Sequence, residues 1–222
     1  MAAGDLCTAA VMRRRPLLLL LLLLFVWCAG AKKKGKDVMY ADVPFIECDV
    51  CREAVRMAWG KANDLREKRG KVREDELTDI TENMCDTESE HGDWLGQFDV
   101  VQSGDKLSLH KPGGYSQCKK ECSTVAYACR KQLEEVHSDL AEALYLQKPK
   151  SLDKLTTKVC KKWTKACTKA NAAAVVKHER KDETFKEMDE KAKEMEDLMR
   201  KMNKMGMGGM SMYSRDDMDE MM

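Results

Sequence analysis

The chain has 222 residues, of which 39 are lysine or arginine and 38 are aspartate or glutamate, so its formal net charge is only +1 although 35% of its residues are charged. This balance excludes the basic surface of a nucleic-acid-binding protein and the acidic excess of an acidic tail protein. Ten cysteines remain to be explained, and what they can do depends on the compartment in which the chain folds.

The first 31 residues have the features of a secretory signal peptide. Three arginines precede an apolar run over residues 17–27, and the small-residue sequence AGA ends at Ala31, where we expect cleavage. The run is shorter than the roughly 20 residues of a membrane-spanning helix, so an uncleaved signal anchor is the weaker alternative. Cleavage would remove Cys7 and Cys28 and leave eight cysteines, an even number that favours disulfides in an oxidising compartment.

A short basic linker, residues 32–39, follows the signal peptide, and we assign it no function. Beyond it, apolar residues recur every three or four positions, which is the spacing of one helix face. Each predicted helix has a single apolar face, so these faces must be buried against each other in one domain over residues 40–172. The four predicted helices cover about residues 46–70, 74–85, 122–144 and 152–166.

A different pattern interrupts the helices midway. Apolar residues at 98–101 are separated from Leu107 and Leu109 by the turn sequence Ser-Gly-Asp, and the second of these stretches alternates apolar and polar residues. This pattern predicts a short β-hairpin, which Pro112-Gly113-Gly114 ends. The fold class is therefore mainly α, with four helices and one hairpin insertion.

The sequence CDVC, with Cys48 and Cys51, allows three interpretations: a thiol-redox pair, half of a zinc site, or the start of a disulfide framework. A redox pair should open a helix after a strand, and no strand is predicted before it. A zinc site needs a second ligand pair nearby, yet the remaining cysteines and the four histidines are scattered. We therefore favour disulfides and expect no metal and no cofactor.

The order and spacing of the cysteine motifs resemble the six-cysteine saposin-like pattern and, more closely, the canopy family of endoplasmic-reticulum proteins. The resemblance covers about residues 45–170. It depends on CDVC, on MCDTESEHGDW, on the hairpin before the third helix, on YACRKQLEEVHSDLAEALY and on the two cysteines of VCKKWTKAC. It implies a saposin-like, disulfide-stapled domain with the nested pairs Cys48–Cys167, Cys51–Cys160 and Cys85–Cys129.

Cys118 and Cys122 are extra to that pattern. At positions i and i+4 of a helix start they would face one side with Cα atoms roughly 6 Å apart, so we expect a fourth bond between them. The pairs Cys48–Cys167 and Cys51–Cys160 cannot both form between two regular helices. On a helix Cys160 and Cys167 would be about 10 Å apart, whereas Cys48 and Cys51 would be only about 4.5 Å apart. One end must be extended, and Pro44 favours the N-terminal side.

The segment after the domain is rich in charge and methionine. Its apolar residues fall at steps of three and four, which predicts a charged helix over residues 173–205 with a narrow apolar seam. Self-association and docking on the domain both remain open, while the flexibility of methionine favours a surface that accepts many partners. We expect residues 178–222 to bind a partner and the domain to fold without them. The candidate partner-binding residues are Phe185, Met188, Met195, Met199 and Met202.

Residues 206–222 are rich in glycine, methionine and acidic residues and are predicted to be a disordered tail. Thioethers suit Cu(I), so copper binding by this tail is an alternative. The chain ends Asp219-Glu220-Met221-Met222, which differs from a His-Asp-Glu-Leu retention signal. We therefore expect either the lumen of the endoplasmic reticulum or secretion.

No phosphate-binding loop, nucleophile elbow or HExxH motif occurs, so an enzyme is not expected. The canopy resemblance implies a folding cofactor, or co-chaperone, that binds client secretory or membrane proteins or their chaperone. A saposin-like lipid-binding protein is the alternative, because that fold can open and expose its apolar faces. No nucleic acid is expected as a partner.

Overall fold

A computed structural model describes residues 38–168 and 176–205, without the side chains of Asn203 and Lys204. The predicted signal peptide, most of the basic linker and the predicted tail lie outside the described residues. The described part is mainly helical and contains one two-stranded sheet. Its helices are α1 (Val43–Arg69), α2 (Glu74–Asn83), α3 (Lys120–Leu133), α4 (His137–Tyr145), α5 (Leu152–Thr157) and α6 (Glu190–Lys204), and its strands are β1 (Asp99–Ser103) and β2 (Lys106–His110).

Helix α1 is the central element, and α3, α5 and β2 all pack on it. One face is buried along its length, where Ile46, Val50, Val55 and other small or branched residues recur at helical spacing. It starts three residues earlier than predicted because Pro44 lies in the first turn, where its missing N–H is not needed. It ends at Gly70, whose φ of 74° an L side chain would adopt only with strain.

The third predicted helix is two helices in the structure. The predicted continuous segment 122–144 breaks between α3 and α4, where the Val136 N–H bonds to the Leu133 carbonyl in a tight turn. Helix α3 packs on α1, whereas α4 packs on α2. The helix breaks because one straight helix could not pack its apolar face against both α1 and α2.

The predicted hairpin is confirmed. Strands β1 and β2 pair antiparallel, with Val100 opposite Leu109 and Ser103 opposite Lys106, and Gly104 supplies the positive φ of the turn. Val100 and Leu107 are buried, so the hairpin covers α1 with one face. Nearby, Trp94 is fully buried and donates its indole N–H to the Met84 carbonyl at 2.8 Å.

The predicted C-terminal helix over 173–205 is only partly observed. Helix α6 begins at Glu190, and residues 176–189, which we name the strap, are extended and lie along the domain. Apolar spacing alone suggested a helix, but the strap makes hydrogen bonds with the domain instead of with itself. The Val176 N–H bonds to the Asp105 carbonyl at 2.8 Å, and the Met188 N–H bonds to the Tyr115 carbonyl at 2.7 Å.

Candidate partner-binding surface

All eight cysteines of the described residues are paired, so CDVC has no free thiol. Their Cα–Cα distances run from 4.6 to 5.8 Å, within the range of disulfides. They are the three nested pairs that the canopy resemblance implies and the expected fourth pair. The bonds are Cys48–Cys167, Cys51–Cys160, Cys85–Cys129 and Cys118–Cys122.

The bonds Cys48–Cys167 and Cys51–Cys160 join α1 to the end of the domain, and the part that departs from a regular helix is the one with Cys160 and Cys167. Our assignment of the extended part to the N-terminal side was therefore wrong. Cys48 and Cys51 both lie within α1. On the other side, α5 continues as a π-helical turn (Lys158–Trp163) that contains Cys160, and the chain then turns back so that the Cys167 N–H bonds to the Cys160 carbonyl at 2.9 Å. Lys165, with a φ of 57°, lies in that turn.

A buried arginine holds the middle of the strap on the domain. The side chain of Arg180 is only 2% exposed, and its Nε donates to the Asp42 carboxylate at 2.8 Å. Its guanidinium also bonds to the Glu121 carboxylate. His178 Nε2 lies 2.5 Å from the other oxygen of Asp42. We name Asp42, Glu121, His178, Arg180 and Glu183 the Arg180 cluster.

Glu121 links three parts of the molecule. Its carboxylate accepts hydrogen bonds from the Val100 N–H of β1 at 3.0 Å and from the Glu183 N–H of the strap at 3.1 Å. Its own N–H donates to the Glu183 carboxylate at 3.1 Å. Burial, together with a hydrogen bond with Asp99, raises the pKa of Glu121 to about 7, against the lowering effects of the two backbone N–H groups and Arg180.

Burial by itself would lower the pKa of Arg180, but its hydrogen bond to Asp42 and the charge of Glu121 raise it, so the guanidinium stays charged. Removing one partner of such a buried ion pair leaves an uncompensated charge, at a cost of about 3 to 5 kcal/mol. The strap is therefore part of the folded domain and is not a free extension of it.

Helix α6 docks on the domain through its charged face. Arg200 bonds to Asp93 of the domain and to Glu196 and Asp197 of its own helix, and its side chain is 15% exposed. Lys193 Nζ lies 3.3 Å from the ring centre of Tyr115, a cation–π contact. These contacts are polar and close to solvent.

The opposite face of α6 carries a row of apolar side chains in water. Because each residue turns the helix by about 100°, Met195, Met199 and Met202 lie roughly across the axis from Lys193 and Arg200. Met195, Leu198 and Met199 are 52%, 47% and 54% exposed, and Met205 just past the helix is 63% exposed. We name these residues the Met stripe; it comprises Met195, Leu198, Met199, Met202 and Met205.

The structure divides the predicted partner-binding residues into two groups. Met195, Met199 and the half-buried Met202 share the Met stripe on α6. Phe185 and Met188 lie on the strap, half-buried, and line a cavity of about 170 Å³ together with Phe98 and Glu121. They do not belong to the same surface, because the helix that would have aligned them begins only at Glu190.

Sequence reasoning missed Leu198 and Met205. A strict two-position seam omits Leu198, although it lies three residues after Met195 and four before Met202. A wider stripe of apolar positions, as surface helices use, would have included both residues.

Within residues 38–168 and 176–205, no group of three or more metal-binding side chains is close enough to hold an ion. No helix in this part of the chain is long and apolar enough to cross a membrane. No protein-family model, curated protein or solved structure matches the chain.

Proposed function

We propose that the protein is a non-catalytic folding cofactor of the endoplasmic reticulum, a saposin-like member of the canopy family, and that it binds client secretory or membrane proteins or their chaperone through the Met stripe. The paired cysteines support an oxidising, lumenal or extracellular location. The observation that carries the proposal is the outward orientation of the apolar face of α6.

An amphipathic helix on a protein surface normally buries its apolar face against the core. Helix α6 does the reverse, because Lys193 and Arg200 contact the domain while Met195 and Met199 face water. Burying a large apolar side chain contributes about 1.5 to 3 kcal/mol, so a partner that covers this row would bind with useful affinity. Methionine is flexible and polarizable, which suits a site that accepts different sequences.

The charges beside the Met stripe favour an apolar protein segment as its occupant. Lys191, Glu194 and Lys201 are exposed and have both signs, so the helix lacks the uniformly basic polar face that attracts anionic lipid surfaces. An apolar helix or loop of an incompletely folded client could lie along the row in the helix-in-groove manner.

A defined aggregation assay tests the proposal. A secreted protein is reduced, separated from the reductant and heated, and light scattering is followed with the oxidised full-length chain, with Leu198→Glu combined with Met199→Glu, and with Leu146→Glu. Leu146 is a matched control, since it is 48% exposed and lies outside the Met stripe. We expect the wild type and Leu146→Glu to delay aggregation and the double variant to have lost this activity.

Equal protection by the double variant would contradict the proposal. The lipid-binding alternative is tested in parallel by co-sedimentation with anionic and zwitterionic vesicles at acid and neutral pH. Binding to vesicles without any delay of aggregation would favour that alternative.

A further inference from the structure

The strap brings an excess of carboxylates into one buried site. The domain supplies Asp42 before α1, Asp99 on β1 and Glu121 in the first turn of α3, and the strap adds Asp182 and Glu183. Against these five stands one permanent cation, Arg180, since His178 is a cation only when protonated. Lys119 and Lys120, which directly precede Glu121 in the chain, and Lys186 of the strap are exposed to solvent.

These groups are not equally important. The side chain of Asp182 is 73% exposed and its charge is screened by water. The side chains of Asp42 and Glu121 are 2% and 5% exposed, so they face each other and Arg180 in a medium of low polarity. Two buried carboxylates beside one guanidinium leave an unbalanced negative charge, and the least costly way to remove it is to take up a proton.

We propose that the strap is a proton-dependent clasp, which closes more tightly on the domain as the solution becomes more acidic. The proposal is independent of the proposed function, because it concerns only how the strap and the domain interact.

The raised pKa of Glu121 agrees with this geometry and gives the range. In the closed state this carboxyl keeps its proton up to about pH 7, and when the strap opens, water reaches the carboxyl and its pKa falls toward the ordinary value of 4.5. Closure therefore takes up a proton between these two values, and the closed state is lost progressively as the pH rises through about 7.

The clasp also controls α6. Met188 is the last strap residue that bonds to the domain, and α6 begins two residues later at Glu190. If the strap opens, α6 is held only by contacts such as Arg200–Asp93 and Lys193–Tyr115. Proton binding at Glu121 thus changes how strongly α6, which carries the Met stripe, is held on the domain.

Amide hydrogen exchange of the full-length, oxidised protein tests the proposal. Protection of residues 176–189 is measured at pH 5.5 and 7.5 after correction for the intrinsic exchange rates, with α1 as the internal reference for folding. A single proton predicts stronger protection at pH 5.5, by up to about twenty-fold when the pKa of Glu121 in the open strap falls all the way to 4.5. Glu121→Gln should abolish this difference, while Glu187→Gln, which removes an exposed carboxylate from the same strap, should keep it.

Equal protection of the wild-type strap at the two pH values would overturn the proposal, and so would a pH difference that survives in folded Glu121→Gln. If Glu121→Gln loses the protection of α1, Asp99→Asn replaces it as the test. That change removes the neighbouring carboxyl that raises the pKa of Glu121, so the transition should move to lower pH. An unchanged midpoint in Asp99→Asn would also overturn the proposal.

Discussion

The strap and α6 are consecutive in the chain and similar in composition, yet they differ in which side chains they bury and which they expose. The strap buries the charged side chain of Arg180, which is 2% exposed between two carboxylates. Helix α6 contacts the domain through Lys193 and Arg200 and leaves Met195 and Met199 about half exposed. The strap is therefore held on the domain by a buried side chain, whereas α6 leaves its apolar face exposed.

The largest effect should come from the buried arginine. Arg180→Met would leave Asp42 and Glu121 without their cation, and we expect it to lower the free energy of unfolding by about 3 to 5 kcal/mol. Denaturant titration of the oxidised protein measures this. Arg200→Met is the matched control on α6, and its loss should be on the order of 1 kcal/mol, because the Asp93 it pairs with is 31% exposed. Equal losses would remove the distinction between the two regions.

Two truncations separate the regions more directly. A chain that ends after Asp189 should keep its melting temperature within about 3 °C, since α6 contributes little to the domain. A chain that ends after Val176 loses Arg180 as well, and its melting temperature should fall by roughly 10 °C. This result would revise the expectation from sequence that the domain folds independently of residues 178–222. Similar melting of the two truncated chains would restore that expectation.

Salt should affect α6 more than the strap. The contacts of Arg200 and Lys193 lie close to solvent, so raising NaCl from 0.1 to 1 M should weaken the protection of α6 amides several-fold. The Arg180 cluster is shielded from ions, and the protection of strap amides should change little. Hydrogen exchange at the two salt concentrations measures both segments at once, and a parallel loss in the strap would contradict this prediction.

The smallest effect on stability should come from the Met stripe. Met195→Glu combined with Met199→Glu replaces two exposed side chains and should change the free energy of unfolding by less than about 0.5 kcal/mol. Destabilisation by more than about 1 kcal/mol in denaturant titration would mean that the stripe is covered by the protein itself.

The regular elements were predictable because local periodicity determines them. Residues close together in the sequence form the apolar faces of α1 and α3 and the alternation of apolar and polar residues around Leu107. The three nested disulfide pairs came from a resemblance in spacing, since nothing local relates Cys48 to Cys167, which are 119 residues apart.

The strap could not be predicted for the same reason. Arg180 and Asp42 are 138 positions apart, and only the folded domain shows that this arginine is buried. In the absence of those contacts, the spacing of Phe185 and Met188 indicated a helix. The predicted residues on α6 share one face, and those on the strap do not join them; partner binding by that face stays a prediction.

The pairing of α1 with the last part of the domain has a consequence for biosynthesis. Cys51 lies 109 residues before its partner Cys160, so ribosomes that add 5 to 20 residues per second need roughly 5 to 20 seconds to supply that partner. If the chain is made into the secretory pathway, both thiols of CDVC are presented to lumenal oxidases throughout this interval, next to a helix face that still lacks its cover. The first helix to emerge is then the last to receive its disulfides, and its apolar face stays uncovered until they form.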